Sequence, residues 1–90
     1  MKYSVRNTKQ FRKDFERIKS QDKDLTKLHD VIIELRDGEK LDKSFHNHSL
    51  KGEYTDCMEC HISPDWLLIY RIEGNEMVLL RTGSHSELFK

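Results

Sequence analysis

The sequence predicts an α+β fold, two short helices packed on a twisted antiparallel sheet of four or five strands in the order β-α-α-β-β-β-β. Three observations predict it. Apolar residues recur at helical spacing before residue 37, and apolar runs of strand length, broken by turn residues, dominate after it. Ninety residues leave room for one modest core, so residues 1–90 are expected to form a single domain.

Tyr3-Ser4-Val5 is a short strand candidate, and Asn7 or Thr8 can cap the helix that follows. Phe11, Phe15 and Ile18 then fall at i, i+4 and i+7 among Lys9, Arg12, Lys13, Asp14 and Arg17, which predicts an amphipathic helix over about 8–20. Ser20 to Asp24 break the pattern and offer two further N-caps. Leu25, Leu28, Ile32 and Leu35 share the next helical face, widened by Val31, and Asp37-Gly38 ends it, since glycine closes helices in the left-handed conformation. The pair reads as a helical hairpin whose apolar stripes need a sheet to cover. Leu50 to Tyr54 is expected to open that sheet, and Ser63-Pro64-Asp65 to turn it. Trp66-Leu67-Leu68-Ile69-Tyr70 is nearly continuous in apolar residues, as a central strand covered on both faces would be. After the turn at Glu73-Gly74-Asn75-Glu76, Met77 to Leu80 return antiparallel to it.

Composition narrows the function. Charged residues make up 36% of the chain against an ordinary quarter or so, which indicates a heavily solvated exterior. No apolar run approaches the ~20 residues that cross a bilayer. Met1 to Arg6 lead into polar sequence without a signal-type apolar stretch, so a cytoplasmic location with no membrane partner is expected. Sixteen basic and sixteen acidic residues cancel, which argues against a simple nucleic-acid coater. Residues 1–45 hold 12 Lys/Arg and 9 Asp/Glu, residues 46–90 hold 4 and 7, and four of the five histidines lie in the second half.

The most conspicuous motif is Cys57-Met58-Glu59-Cys60-His61. Its spacing fits a c-type haem, but that attachment is made outside the cytoplasm and needs a second axial ligand. Zinc held by Cys57, Cys60, His61 and His46 or His48 competes better, yet structural zinc usually takes two paired knuckles, and in an extended strand residues three apart point to opposite faces. The expected cofactor and metal content is therefore none. Cys60 reads as a small buried apolar residue and Cys57 as a surface one. His29 reads as a solvent-facing helical residue, and His46 shares a loop with His48.

The remaining histidines form a chemical set. His48 precedes the first C-terminal strand, His61 lies near a strand end, and His85 follows the last strand, all positions from which a scaffold presents side chains to one cleft. Asp65, Arg81 and Phe89 complete the group. Imidazoles titrate near neutrality, so one can accept a proton while another donates one, and a guanidinium suits phosphate oxygens. These are the requirements for attack of a ribose 2′-hydroxyl on its own phosphodiester.

His48-Ser49-Leu50-Lys51-Gly52, Glu59-Cys60-His61-Ile62-Ser63-Pro64-Asp65-Trp66-Leu67-Leu68-Ile69-Tyr70 and Leu80-Arg81-Thr82-Gly83-Ser84-His85-Ser86-Glu87-Leu88-Phe89 strongly resemble the YafQ-like branch of the RelE superfamily of bacterial toxins. The resemblance covers the whole chain in element order and is dense from about residue 44. It implies a RelE-like fold and a metal-independent endoribonuclease that cuts mRNA in the A site of the 70S ribosome. It also implies a cognate antitoxin, a small ribbon-helix-helix protein, that holds the toxin inactive. Carried over, the catalytic residues are His48, His61, Asp65 and His85, with His85 the expected acid and Asp65 or His61 the base. Arg81 would steady the phosphate, Phe89 would stack on a base, and Trp66 is read first as core. Relatives carry arginine three residues before the histidine of Glu-Cys-His-Ile. Here that residue is Met58, which implies weaker substrate binding or transfer of the phosphate contact to Arg81 or Lys51. The competing reading is a non-catalytic ParE-like or degenerate toxin that acts by binding protein, and the histidine set argues against it.

Overall fold

The computed structural model describes residues 2–89. Its elements are β1 (Ser4–Asn7), α1 (Lys9–Lys19), α2 (Leu25–Arg36), a 3₁₀ turn (Lys43–Phe45), β2 (His48–Ser49), a second 3₁₀ turn (Gly52–Tyr54), β3 (Met58–Ser63), β4 (Trp66–Glu73), β5 (Glu76–Gly83) and α3 (His85–Leu88). The helices start where the caps predict. The Thr8 hydroxyl accepts from the Phe11 N–H and donates to the Leu79 carbonyl, pinning α1 to β5, and Asp24 caps α2 through the Thr26 N–H. Gly38, at φ 79°, closes α2, with the Glu39 N–H bonded to the Glu34 carbonyl.

One five-stranded sheet runs β1-β5-β4-β3-β2. β2 to β5 pair antiparallel, while β1 lies parallel to β5. The helices cover one face, where Phe11, Ile18, Leu28, Val31 and Leu35 meet Cys60, Ile62, Trp66, Leu68, Tyr70, Met77 and Leu79. On the other face Leu67, Ile69 and Cys57 pack beneath Leu88 of α3, with Leu50, Tyr54 and Leu80 around them. β4 is thus buried on both sides, and Leu67, Leu68 and Ile69 are fully enclosed, each contributing about 1.5–3 kcal/mol by transfer from water.

Four expectations are corrected. The strand expected at Leu50 to Tyr54 is instead the two-residue β2, because Gly52 (φ 73°) and Asp56 (φ 70°) turn the chain left-handed and a 3₁₀ turn replaces extended backbone. Cys57 is buried, since that turn folds Leu50 and Tyr54 over it. The Lys and Arg residues of α1 and α2 read most simply as a solvated face, but Arg17 instead reaches Asp14, which lies on the buried stripe of α1 between Phe11 and Ile18. The chain after β5 forms a further short helix, capped by a reciprocal Ser84–Glu87 pair.

Candidate active site

β4 and β5 pair up to Leu67 and Gly83, so the residues two positions beyond each, Asp65 and His85, emerge side by side at one end of the sheet. The Ser84–Glu87 capping box sets the angle at which α3 leaves. Asp65 Oδ1 accepts the His85 backbone N–H at 3.0 Å and lies 2.7 Å from His85 Nδ1. The backbone bond, followed by the ring bond, holds the Asp65 carboxyl below the usual aspartate range. An ionised acceptor requires Nδ1 to carry the proton, which leaves His85 Nε2 as the nitrogen free for chemistry.

A second carboxylate organises the other two histidines. Glu59 faces His48 across the β2–β3 pair and, two residues before His61, shares its face of β3, the face turned away from α1 and α2. Its Oε1 lies 3.0 Å from His48 Nε2 and 3.4 Å from His61 Nε2 while its side chain is only 7% exposed. The other nitrogen of His48, Nδ1, lies 3.1 Å from the Ser49 carbonyl, so the ring donates to both oxygens only when protonated. The His61 ring centre is 6.3 Å from that of His48 and 5.7 Å from that of His85. His46, held in the left-handed region at φ 46° after the first 3₁₀ turn, adds a fourth ring 5.4 Å from His61.

The three histidines and Asp65 singled out in the sequence therefore meet in one place. Glu59 and His46 escaped that reading, although strand alternation puts Glu59 on the face of His61. A transition ion would find three donors here, His48, Glu59 and His61, whose ligand atoms lie within 4.8 Å of one another. The two-sulfur zinc site does not form: Cys60 packs with the helices and Cys57 on the opposite face of the sheet. Burial pushes the Cys60 thiol up to about 12, which leaves it inert as a nucleophile.

The other candidates have partners of their own, and Arg81 and Phe89 both adjoin Tyr54. Arg81 donates from Nε and Nη2 to Asp14 at 2.7 and 3.2 Å, so most of its fork serves a structural carboxylate. Burial by itself would raise the Asp14 carboxyl, but bonds from Arg81, the Thr82 N–H and Gln10 outweigh it and hold Asp14 below its ordinary range. Arg17 joins this centre, reaching Asp14, the Thr82 carbonyl and Glu87 of α3. Phe89 follows α3, half-exposed, with its ring centre 5.7 Å from that of Tyr54. Lys51 is exposed in the connection after β2. Trp66 is core, its Nε1 donating to the Thr82 hydroxyl, which in turn donates to the Leu67 carbonyl.

A family model described as the bacterial toxin of type II toxin-antitoxin systems, YafQ, matches residues 3–90. The mRNA interferase toxin YafQ of Escherichia coli strain K12 is 31% identical over 81 residues, which is 89% of this chain and 88% of its own. Among solved structures, a copper-bound mutant toxin from Helicobacter pylori is 44% identical, with a TM-score of 0.92 over 97% of this chain and 99% of that one. A chain of the E. coli DinJ-YafQ toxin-antitoxin complex is 27% identical, with a TM-score of 0.90 and both chains covered in full, 100% each.

Proposed function

Because the chain belongs to the YafQ family of toxins of bacterial type II toxin-antitoxin systems, we propose that it cuts mRNA in the ribosomal A site by attack of a ribose 2′-hydroxyl on the adjoining phosphodiester. It is an mRNA interferase, an endoribonuclease, in the RelE superfamily. Residues 1–90 act as one toxin domain, neutralised by a cognate antitoxin, as the DinJ-YafQ complex supports.

The observation that carries the mechanism is the hydrogen bond from His85 Nδ1 to ionised Asp65 at 2.7 Å, with His61 in the neighbouring ring position. Asp65 fixes the tautomer and orientation of His85, so that His85 Nε2 is the nitrogen from which a proton can reach the departing 5′-oxygen. His61, with Nε2 toward Glu59, presents Nδ1 as the lone-pair nitrogen that takes the 2′-hydroxyl proton. His48, held between Glu59 and the Ser49 carbonyl, keeps the Glu59 carboxylate aligned beside His61. The oxygen–phosphorus bond to the 2′-oxygen forms as the bond to the 5′-oxygen breaks, giving a 2′,3′-cyclic phosphate and a 5′-hydroxyl. Phe89 stacks on a base, while Arg81 can offer the phosphate only what its bond to Asp14 leaves over.

Induced expression in a bacterial host tests this reading. Wild type should arrest growth and leave mRNA cuts visible by primer extension, and His85→Ala should do neither. Equal arrest by both would favour the protein-binding alternative and end the ribonuclease assignment.

A further inference from the structure

β2 spans only two residues and pairs with Met58 and Glu59, so among the described residues β3 beyond Glu59 has no partner strand on that edge. The first 3₁₀ turn packs there instead and leaves an open cleft of 770 Å³ whose lining includes Lys27, Phe45, His46, His48, His61 and Pro64. Its volume suits a ligand the size of a nucleotide, for which pockets run to about 300–1,000 Å³.

Resting on the ribonuclease reading, we propose that this cleft is a nucleotide subsite that holds the RNA residue next to the scissile phosphate, with Lys27 as its phosphate contact and His46 as a ring against which the base or ribose packs. The cleft shares His48 and His61 with the catalytic group, and the His61 ring centre stands 5.7 Å from that of His85, so a strand bound across His61 can continue into it. Its lining supplies what single-stranded RNA recognition uses, aromatic faces at Phe45 and His46 and one exposed ammonium from the first turn of α2. The charge arithmetic agrees. Arg81 is tied to Asp14 and the chain carries Met58 rather than arginine at the start of β3, so among the described residues Lys27 is the cation that the cleft itself brings to the substrate.

The test uses an RNA trinucleotide with a 2′-deoxy sugar at the cut, which binds without reacting, titrated into the full chain at several KCl concentrations. Lys27→Ala should weaken binding roughly three- to tenfold at low salt and reduce the salt slope by about 0.7, the value for one phosphate contact on a single strand. Lys27→Arg should restore both, His46→Ala should weaken binding with an unchanged slope, and Lys9→Ala, on exposed α1, should change nothing. Absence of wild-type binding, or a Lys27→Ala titration matching wild type, overturns the subsite. So does protection of Lys27 and His46 from chemical labelling by antitoxin but never by the trinucleotide, which would make the cleft a protein contact. Cleavage of ribosome-bound mRNA by wild type, measured in parallel, tests the underlying ribonuclease reading separately.

Discussion

Removing Asp14 should destabilise the fold more than any other single change to a polar residue discussed above. Its carboxylate is fully buried and accepts from Gln10, Arg17, Arg81 twice and the Thr82 N–H, at 2.7 to 3.2 Å. Asp14→Ala leaves a buried N–H without a partner, costing about 1–3 kcal/mol, and strands two guanidinium groups. Breaking a buried pair typically costs about 3–5 kcal/mol. The side chains of Arg81 and Arg17 are 21% and 33% exposed, so they recover some hydration, and a total near the low end, about 3 kcal/mol, is expected. For a domain of this size that is a fall in Tm of roughly 15 °C. Urea unfolding followed by circular dichroism measures it. The folded-state pKa of Asp14 is depressed, so its stabilisation is present above the ordinary aspartate value and is lost as pH falls through the lower folded one. The gap between wild type and Asp14→Ala should therefore hold at pH 7 and narrow below about pH 4. A gap under about 1 kcal/mol, or one that persists unchanged into acid, would refute the claim that the buried charge is what stabilises.

Other expectations concern the chemistry. His85→Ala should lower single-turnover cleavage by roughly 10²–10⁴-fold, Asp65→Ala by less and Asp65→Asn by least, because the amide oxygen can still accept from His85. If Asp65→Ala matched or exceeded His85→Ala, Asp65 would be a reacting group and not the residue that orients the imidazole. Glu59→Gln should shift the pH–rate profile while leaving the fold intact by circular dichroism, and an unmoved profile would remove Glu59 from the proton-transfer set. Added Zn²⁺ or Cu²⁺ should inhibit by occupying His48, Glu59 and His61, and EDTA should restore the rate; calorimetric binding of the ion to His61→Ala as tight as to wild type would place the metal elsewhere. Gly83→Ala would drive a methyl group into the Arg17 guanidinium and the Glu87 carboxylate, costing about 1–3 kcal/mol by overpacking, and a melt within 2 °C of wild type, well short of that cost, would contradict it.

Both long helices were legible because their signals are local: Thr8 and Asp24 cap them, the apolar spacing sets their faces, and Asp37-Gly38 ends the second. The β3–β4 and β4–β5 hairpins were legible from Pro64 and Gly74 between apolar runs. β2 was not, because left-handed residues at Gly52 and Asp56 override the strand-like composition of Leu50 to Tyr54. α3 escaped because four residues carry too little periodicity to announce a helix. Of the candidate site, the residue types and the motif likeness named His48, His61, Asp65 and His85. The Arg81–Asp14 pair was not legible, because a sequence does not reveal a carboxylate waiting 67 positions away.

By itself, then, the sequence determined the elements, their faces and the kind of chemistry available, since caps, turns and periodicity act between residues close in the chain. Only the tertiary structure decided which charges find each other. Desolvation makes a buried group such as Asp14 or Glu59 depend on partners from other strands and helices, and that dependence tied Arg81 into the scaffold and gathered the imidazoles around Glu59.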